Sequence, residues 1–205
     1  MTQGEPVSST SGRFHAVRFY EDDKALFRIV AEFLGDGLAA GRPAIVIATP
    51  SHRAGVAREL TARSLDVERL RLAGDLLLLD ATKTLATFTF MVNDKPDSER
   101  FRSSMCGAIE EVCRGRENCT VRVSGQMVDL LWKDGEPEAA IRLEVLRNQL
   151  ANSHALSLLC GYAMGHFYKD ANLDDICREH GEAAAVARAD TQLMLEPVVV
   201  GELLT

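Results

Sequence analysis

Five apolar residues in a row, Ala44-Ile45-Val46-Ile47-Ala48, lie between a Gly41-Arg42-Pro43 turn and a Thr49-Pro50-Ser51 helix start. A strand apolar on both faces needs cover on both faces, which is the situation of a central strand in a parallel sheet. The pattern recurs in Phe14-His15-Ala16-Val17-Arg18-Phe19-Tyr20, in the leucines between Asp75 and Asp80, in Thr120-Val121-Arg122-Val123 and in Ala155-Leu156-Ser157-Leu158-Leu159-Cys160. Helical periodicity separates these runs. Leu26, Ile29, Val30, Phe33, Leu34 and Leu38 share one face, as do Phe101, Met105, Ile109 and Val112. Further helices are expected from 51 to 64, over 85–91, after Gly125 through Trp132, and over 136–151. Five strands alternating with helices predict an α/β fold, three-layer α/β/α, with a mainly parallel sheet.

The 205 residues suit one such domain with ragged ends: a leader at 1–13, the folded unit at 14–182 and a helical extension at 183–205. An apolar share of 46% against 26% charged is enough for a full core. No apolar run approaches the ~20 residues that span a bilayer, so a cytoplasmic protein is expected. A net charge of -7 argues against nucleic-acid binding through the surface as a whole. The five cysteines form no CxxC pair, and an odd count without a secretion signal points to reduced thiols used mainly as small core residues. Cys106 and Cys113 would share a helix face.

In parallel sheets the ligand crevice lies at the carboxyl ends of the strands. That rule nominates Tyr20 and Glu21, Thr49 to Arg53, Asp80 to Lys83, Ser124 to Gln126, and Cys160 to Tyr162. A nucleotide-binding unit would carry a glycine-rich phosphate loop after its first strand. Here the turn is Tyr20-Glu21-Asp22-Asp23, no glycine lies between Gly12 and Gly35, and no Gly-Lys dipeptide occurs in the chain. Three carboxylates at a helix start suit the helix dipole and repel a triphosphate. Asp22 or Asp23 is the expected N-cap, leaving Glu21 for a ligand or partner.

The other candidates are polar groups without a catalytic pattern. His52 and Arg53 can receive an anion or a polar ligand group, although a solvated first helical turn accounts for them equally. Gln126 can hydrogen-bond a neutral ligand but brings neither charge nor metal affinity. Cys160 and Tyr162 are placed to touch a small molecule. A Cys160/His52 nucleophile–base pair and a metal set drawn from Cys160, Cys177, His166 and His180 are weaker readings of the same residues. His15, at the start of its strand, is expected to be satisfied by neighbouring backbone. Trp132 is read as core or interface, and Glu144 as a structural partner of Arg142, Arg147 or a buried polar group.

Taken in order, His15-Ala16-Val17-Arg18-Phe19-Tyr20-Glu21, Ala48-Thr49-Pro50-Ser51-His52-Arg53, the strand ending Asp80-Ala81, Gly125-Gln126-Met127-Val128 with Leu131-Trp132, Leu143-Glu144, and Leu159-Cys160-Gly161-Tyr162 resemble the MEDS domain. This is the sensory domain named for methanogens, methylotrophs and the dichloromethane regulator, and the resemblance covers about residues 14 to 182. It implies a RecA/KaiC-like fold with an eroded phosphate loop and a non-catalytic module that senses small hydrocarbon-derived compounds. It also implies output through histidine kinases, DNA-binding domains or anti-sigma-type regulators. The family pattern usually has Glu after the glycine where this chain has Gln126.

The resulting expectation is a sensory protein, not an enzyme. It would bind a small organic ligand through Tyr20, Glu21, Thr49, His52, Arg53, Gln126, Cys160 and Tyr162, with no metal and no cofactor. Its partner would be a separate signalling protein such as a histidine kinase or an anti-sigma-type regulator. Neither membrane nor nucleic acid is expected to bind, and a homo-oligomer is compatible. The alternatives are a protein–protein scaffold with a vestigial pocket and, less favoured, a divergent RecA-like ATPase.

Overall fold

A computed structural model describes residues 14–88 and 96–163. Among them the chain runs β1 (Phe14–Tyr20), α1 (Asp23–Ala39), β2 (Ala44–Ala48), α2 (Pro50–Ala62), α3 (Val67–Leu72), β3 (Leu76–Asp80), α4 (Ala81–Ala86), α5 (Ser98–Cys113), β4 (Val121–Gly125), α6 (Met127–Lys133), α7 (Pro137–Ser153) and β5 (Leu156–Ala163). The five strands form one sheet in the order β1-β5-β4-β2-β3, and every pairing is parallel. It is the three-layer α/β/α sandwich that the strand pattern predicts, and it is RecA/KaiC-like as the resemblance implies. The expected leader, the extension at 183–205, and Cys177, His166 and His180 lie outside the described residues.

Two apolar layers enclose the sheet. Ile45, Ile47, Val121, Val123, Leu156 and Leu158 face α5, α6 and α7. Ala44, Val46, Ala48, Leu76 and Leu159 face α1 and α2. All five residues of β2 are buried, as a strand covered on both faces must be. No described helix is long and apolar enough to cross a membrane.

Short polar caps set the element boundaries. Asp22 caps α1, its carboxylate accepting the Ala25 N–H at 2.7 Å. Asp80 ends β3 and caps the next helix by accepting the Lys83 N–H at 3.1 Å. That cap moves the short helix expected at 85–91 forward to Ala81–Ala86. Asp66 likewise starts α3, too short for a helical period to be read, although Val67 and Leu70 pack against the core. β5 continues three residues beyond Cys160, so Gly161 and Tyr162 are strand residues rather than the start of a loop.

The cysteines depart from the expectation of free thiols: Cys113 and Cys119 are joined in a disulfide. The chain doubles back between them through two left-handed residues, Gly115 at φ 74° and Asn118 at φ 52°. A count of cysteines carries no information about such a turn. Among the described residues Cys106 and Cys160 keep free thiols.

Helices α1 and α2 approach closely because residue 55 is glycine. A β-carbon there would lie 2.3 Å from the Phe27 ring. Gly55→Ala should therefore cost about 1–3 kcal/mol, the usual range for overpacking, even though alanine is the better helix former. Denaturant titration of Gly55→Ala, Phe27→Leu and the double variant checks this. The double variant should recover part of the loss, and strict additivity would mean the two residues do not collide.

Candidate functional site

Adjacent strands β2 and β4 send their following helices to opposite faces, α2 to one and α6 to the other. A crevice opens at their carboxyl ends for that reason. Side chains bridge it. The Gln126 N–H donates to Ile47 O at 2.8 Å, and Gln126 Oε1 accepts the Thr49 N–H at 3.2 Å. Thr49 is the N-cap of α2 but makes no side-chain capping bond, and Pro50 removes one of the amides an anion would use.

Beneath this bridge lies a cavity of about 20 Å³, lined by Leu26, Val30, Val46, Val56 and Gly161 together with His52, Ser124 and Gln126. Its walls are mainly apolar. His52 is buried, its ring packed edge-on against Phe27 at 5.1 Å, and its Nε2 meets Asp23 Oδ2 at 3.2 Å. His52 Nδ1 is buried and makes no hydrogen bond among the described residues. Arg53 pairs with Asp80 at 3.0 Å and does not line the cavity.

The eight residues expected at one site are thus divided. Thr49, His52 and Gln126 surround the β2/β4 crevice, with Arg53 beside it. Glu21 is exposed. Tyr20 is buried, and its ring stands against the Cα face of Gly161, where a β-carbon would come within 3.4 Å of Cε1. The Tyr20 hydroxyl donates to Asp129 Oδ2 at 3.5 Å. Burial first, and then the Asp129 charge, push that hydroxyl's pKa above its ordinary value.

Cys160 and Tyr162 do not reach the crevice, which corrects their expected placement. Because β5 is longer than its apolar run, strand alternation turns both side chains under α7, into a polar cluster within the other layer. Tyr162 OH donates to Glu144 Oε1, and Arg147 Nη1 lies 3.6 Å from the same oxygen. Cys160 Sγ is 3.8 Å from Glu144 Oε2 and 2.7 Å from His15 Nε2. His15 has side-chain partners that the sequence did not suggest: its Nδ1 shares a hydrogen bond with Asn148 Oδ1 at 2.5 Å. Burial raises both the Cys160 thiol and the Tyr162 hydroxyl well above their usual ranges. Burial lowers Arg147, but Cys160, Glu144 and Tyr162 more than offset it and keep the guanidinium charged.

A Cys160/His52 pair is excluded by the same geometry, since the two lie in opposite apolar layers. The expected pairing of Glu144 with Arg147 is present, whereas sequence reasoning missed His15 and Asn148 as members of the same cluster. The available signal was Glu144 and Arg147 one helical turn apart inside an otherwise apolar stripe.

The described residues form a RecA/KaiC-like sheet with an acidic turn in place of a phosphate loop and a side-chain amide across its switch point. That is the architecture of a recognition domain built on a nucleotide-binding scaffold. The family model described as MEthanogen/methylotroph, DcmR Sensory domain (MEDS) matches residues 14–181, and the chain belongs to that family. MEDS domains are non-catalytic sensory modules that signal to partner proteins. A comparison with curated proteins finds no match to this chain.

Proposed function

We propose that this domain senses a small organic molecule, mainly apolar with one hydrogen-bonding group, at the β2/β4 crevice. The observation that carries the reading is the buried His52 Nδ1 without a hydrogen-bond partner among the described residues, at a mainly apolar cavity that Ser124 and Gln126 also line. Most buried polar atoms are paired, so an orphan at an apolar cavity is a place for a ligand's polar atom. A volume of about 20 Å³ holds one water, so an organic ligand enters only by moving α1 and α2 apart. The Phe27, His52 and Gly55 contacts between those helices carry that movement to the surface. A separate signalling protein, such as a histidine kinase or an anti-sigma-type regulator, reads it there. A cytoplasmic setting belongs to the same reading.

Thermal unfolding with a panel of small alcohols, ketones and haloalkanes, and separately with ATP–Mg²⁺, tests the proposal. A ligand present at a hundred times its Kd stabilises the fold by about 2.7 kcal/mol. Val56→Phe, which fills the cavity, should abolish the organic-ligand shift while leaving a cooperative transition, and His52→Leu should weaken it tenfold or more. A shift with ATP–Mg²⁺ overturns the reading. No shift with any compound favours a scaffold with a vestigial pocket.

A further inference from the structure

The cluster under α7 has a second chemistry. His15, Glu144 and Cys160 are all buried and bring one donor atom each within 4.8 Å of one another. The three come from β1, α7 and β5, so only the folded domain assembles them. Their separations are 2.7 Å for His15 Nε2 to Cys160 Sγ, 3.6 Å for Nε2 to Glu144 Oε2, and 3.8 Å for Sγ to Oε2. Ligand atoms around a tetrahedral Zn²⁺ stand about 3.5 Å apart, given bonds of about 2.3 Å to sulfur and 2.0–2.1 Å to nitrogen or oxygen. Two of the three separations already fit. The third is a hydrogen bond that must open by under about 1 Å when the metal replaces its proton.

The surrounding groups are those that orient metal ligands. Asn148 Oδ1 can only accept, so the His15 proton is on Nδ1 and the Nε2 lone pair faces the thiol. Tyr162 and Arg147 hold Glu144 through Oε1, which turns Oε2 toward Cys160 and His15. Each of these two ligands is thus fixed by its far atom, and the near atoms converge.

We propose that His15, Glu144 and Cys160 form a binding site for a divalent thiolate- and imidazole-accepting metal ion, Zn²⁺ or Co²⁺, with the fourth position open. Binding displaces one proton from Cys160 Sγ, which becomes the thiolate ligand; no electron is transferred. With the metal, one thiolate, one carboxylate and the nearby guanidinium, the site carries one positive charge in excess. A small anion, hydroxide or carboxylate, in the fourth position neutralises it. Arg147 Nη1, which makes no hydrogen bond among the described residues, is the neighbouring donor for that anion. This site is in the opposite layer from the His52 cavity, and neither proposal depends on the other.

The test uses the full chain refolded in the presence of Co²⁺ or Zn²⁺, because the site is buried. One metal per chain is expected, with a thiolate-to-cobalt charge-transfer band and tetrahedral ligand-field bands in the Co²⁺ form. X-ray absorption of the Zn²⁺ form should show a single sulfur ligand. Cys160→Ser and His15→Gln should each lower affinity at least a hundredfold and remove or shift the bands, whereas Cys106→Ser and Cys177→Ser should leave them unchanged. Loss of metal in Cys177→Ser, two or more sulfur ligands, or no metal retained by the wild-type chain would overturn the proposal. The X-ray absorption and stoichiometry measurements use the wild-type chain and decide the question even where a variant fails to fold.

Discussion

Glu144→Ala should destabilise the metal-free domain by about 3–5 kcal/mol, a large part of the stability of any domain this size. The carboxylate is only 1% exposed and faces an Arg147 that is 4% exposed, so its removal leaves a guanidinium buried without its ion-pair partner. It also takes the acceptor from Tyr162 OH. Glu144→Gln should cost less, because an amide oxygen can still accept from the tyrosine. The decisive comparison is the double variant Glu144→Leu/Arg147→Met. Removing both charges should recover most of the loss, since a buried pair contributes little net stability compared with apolar residues of similar volume. Urea titrations of the three variants against wild type provide the check. A Glu144→Ala loss below about 1 kcal/mol would mean that water reaches the cluster.

Phe101→Ala should be nearly as damaging, at about 3–5 kcal/mol. Phe101 is 2% exposed and packs edge-on against Phe88, ring centroids 5.2 Å apart. Its position makes the loss more than a core truncation. On one side of the ring is a surface groove of about 350 Å³ between α5 and α7, lined by Ser98, Glu99, Arg102 and Arg142. On the other is an interior void of about 20 Å³ that includes Ile45, Ile47, Met105 and Arg147. Without the ring the two become continuous and water reaches Arg147. Phe101→Leu keeps the partition and should lose less than half as much. If Phe101→Ala unfolds with nearly wild-type stability in denaturant, α5 has collapsed into the gap and the partition is not maintained by this side chain.

Both variants act on the α5–α7 layer, whose apolar helix faces the spacing gave but whose polar cluster it did not. The first layer was legible because α1 carries Leu26, Val30, Leu34 and Leu38 at helical spacing, and β2 is uniformly apolar. The N-cap at Asp22 followed from capping chemistry, and the crevice residues Thr49 and Gln126 from the rule for parallel sheets. The placement of Tyr162 failed for a local reason. The apolar run ends at Cys160, which put Tyr162 at the strand end and so at the crevice, yet β1 pairs with β5 as far as Ala163 and keeps Tyr162 inside the sheet. Hydrogen bonding to a neighbour, not the composition of the segment, decided where the strand ends.

What the sequence determined alone is the alternation of buried strands and amphipathic helices, the caps between them and the lack of a phosphate cradle, because each depends on residues a few positions apart. The strand order, the Cys113–Cys119 pairing and the gathering of His15, Glu144, Cys160 and Tyr162 under one helix were decided only by the tertiary structure. His15 and Cys160 are 145 positions apart. Local propensity has no term for such distances; packing two covered faces onto one parallel sheet does.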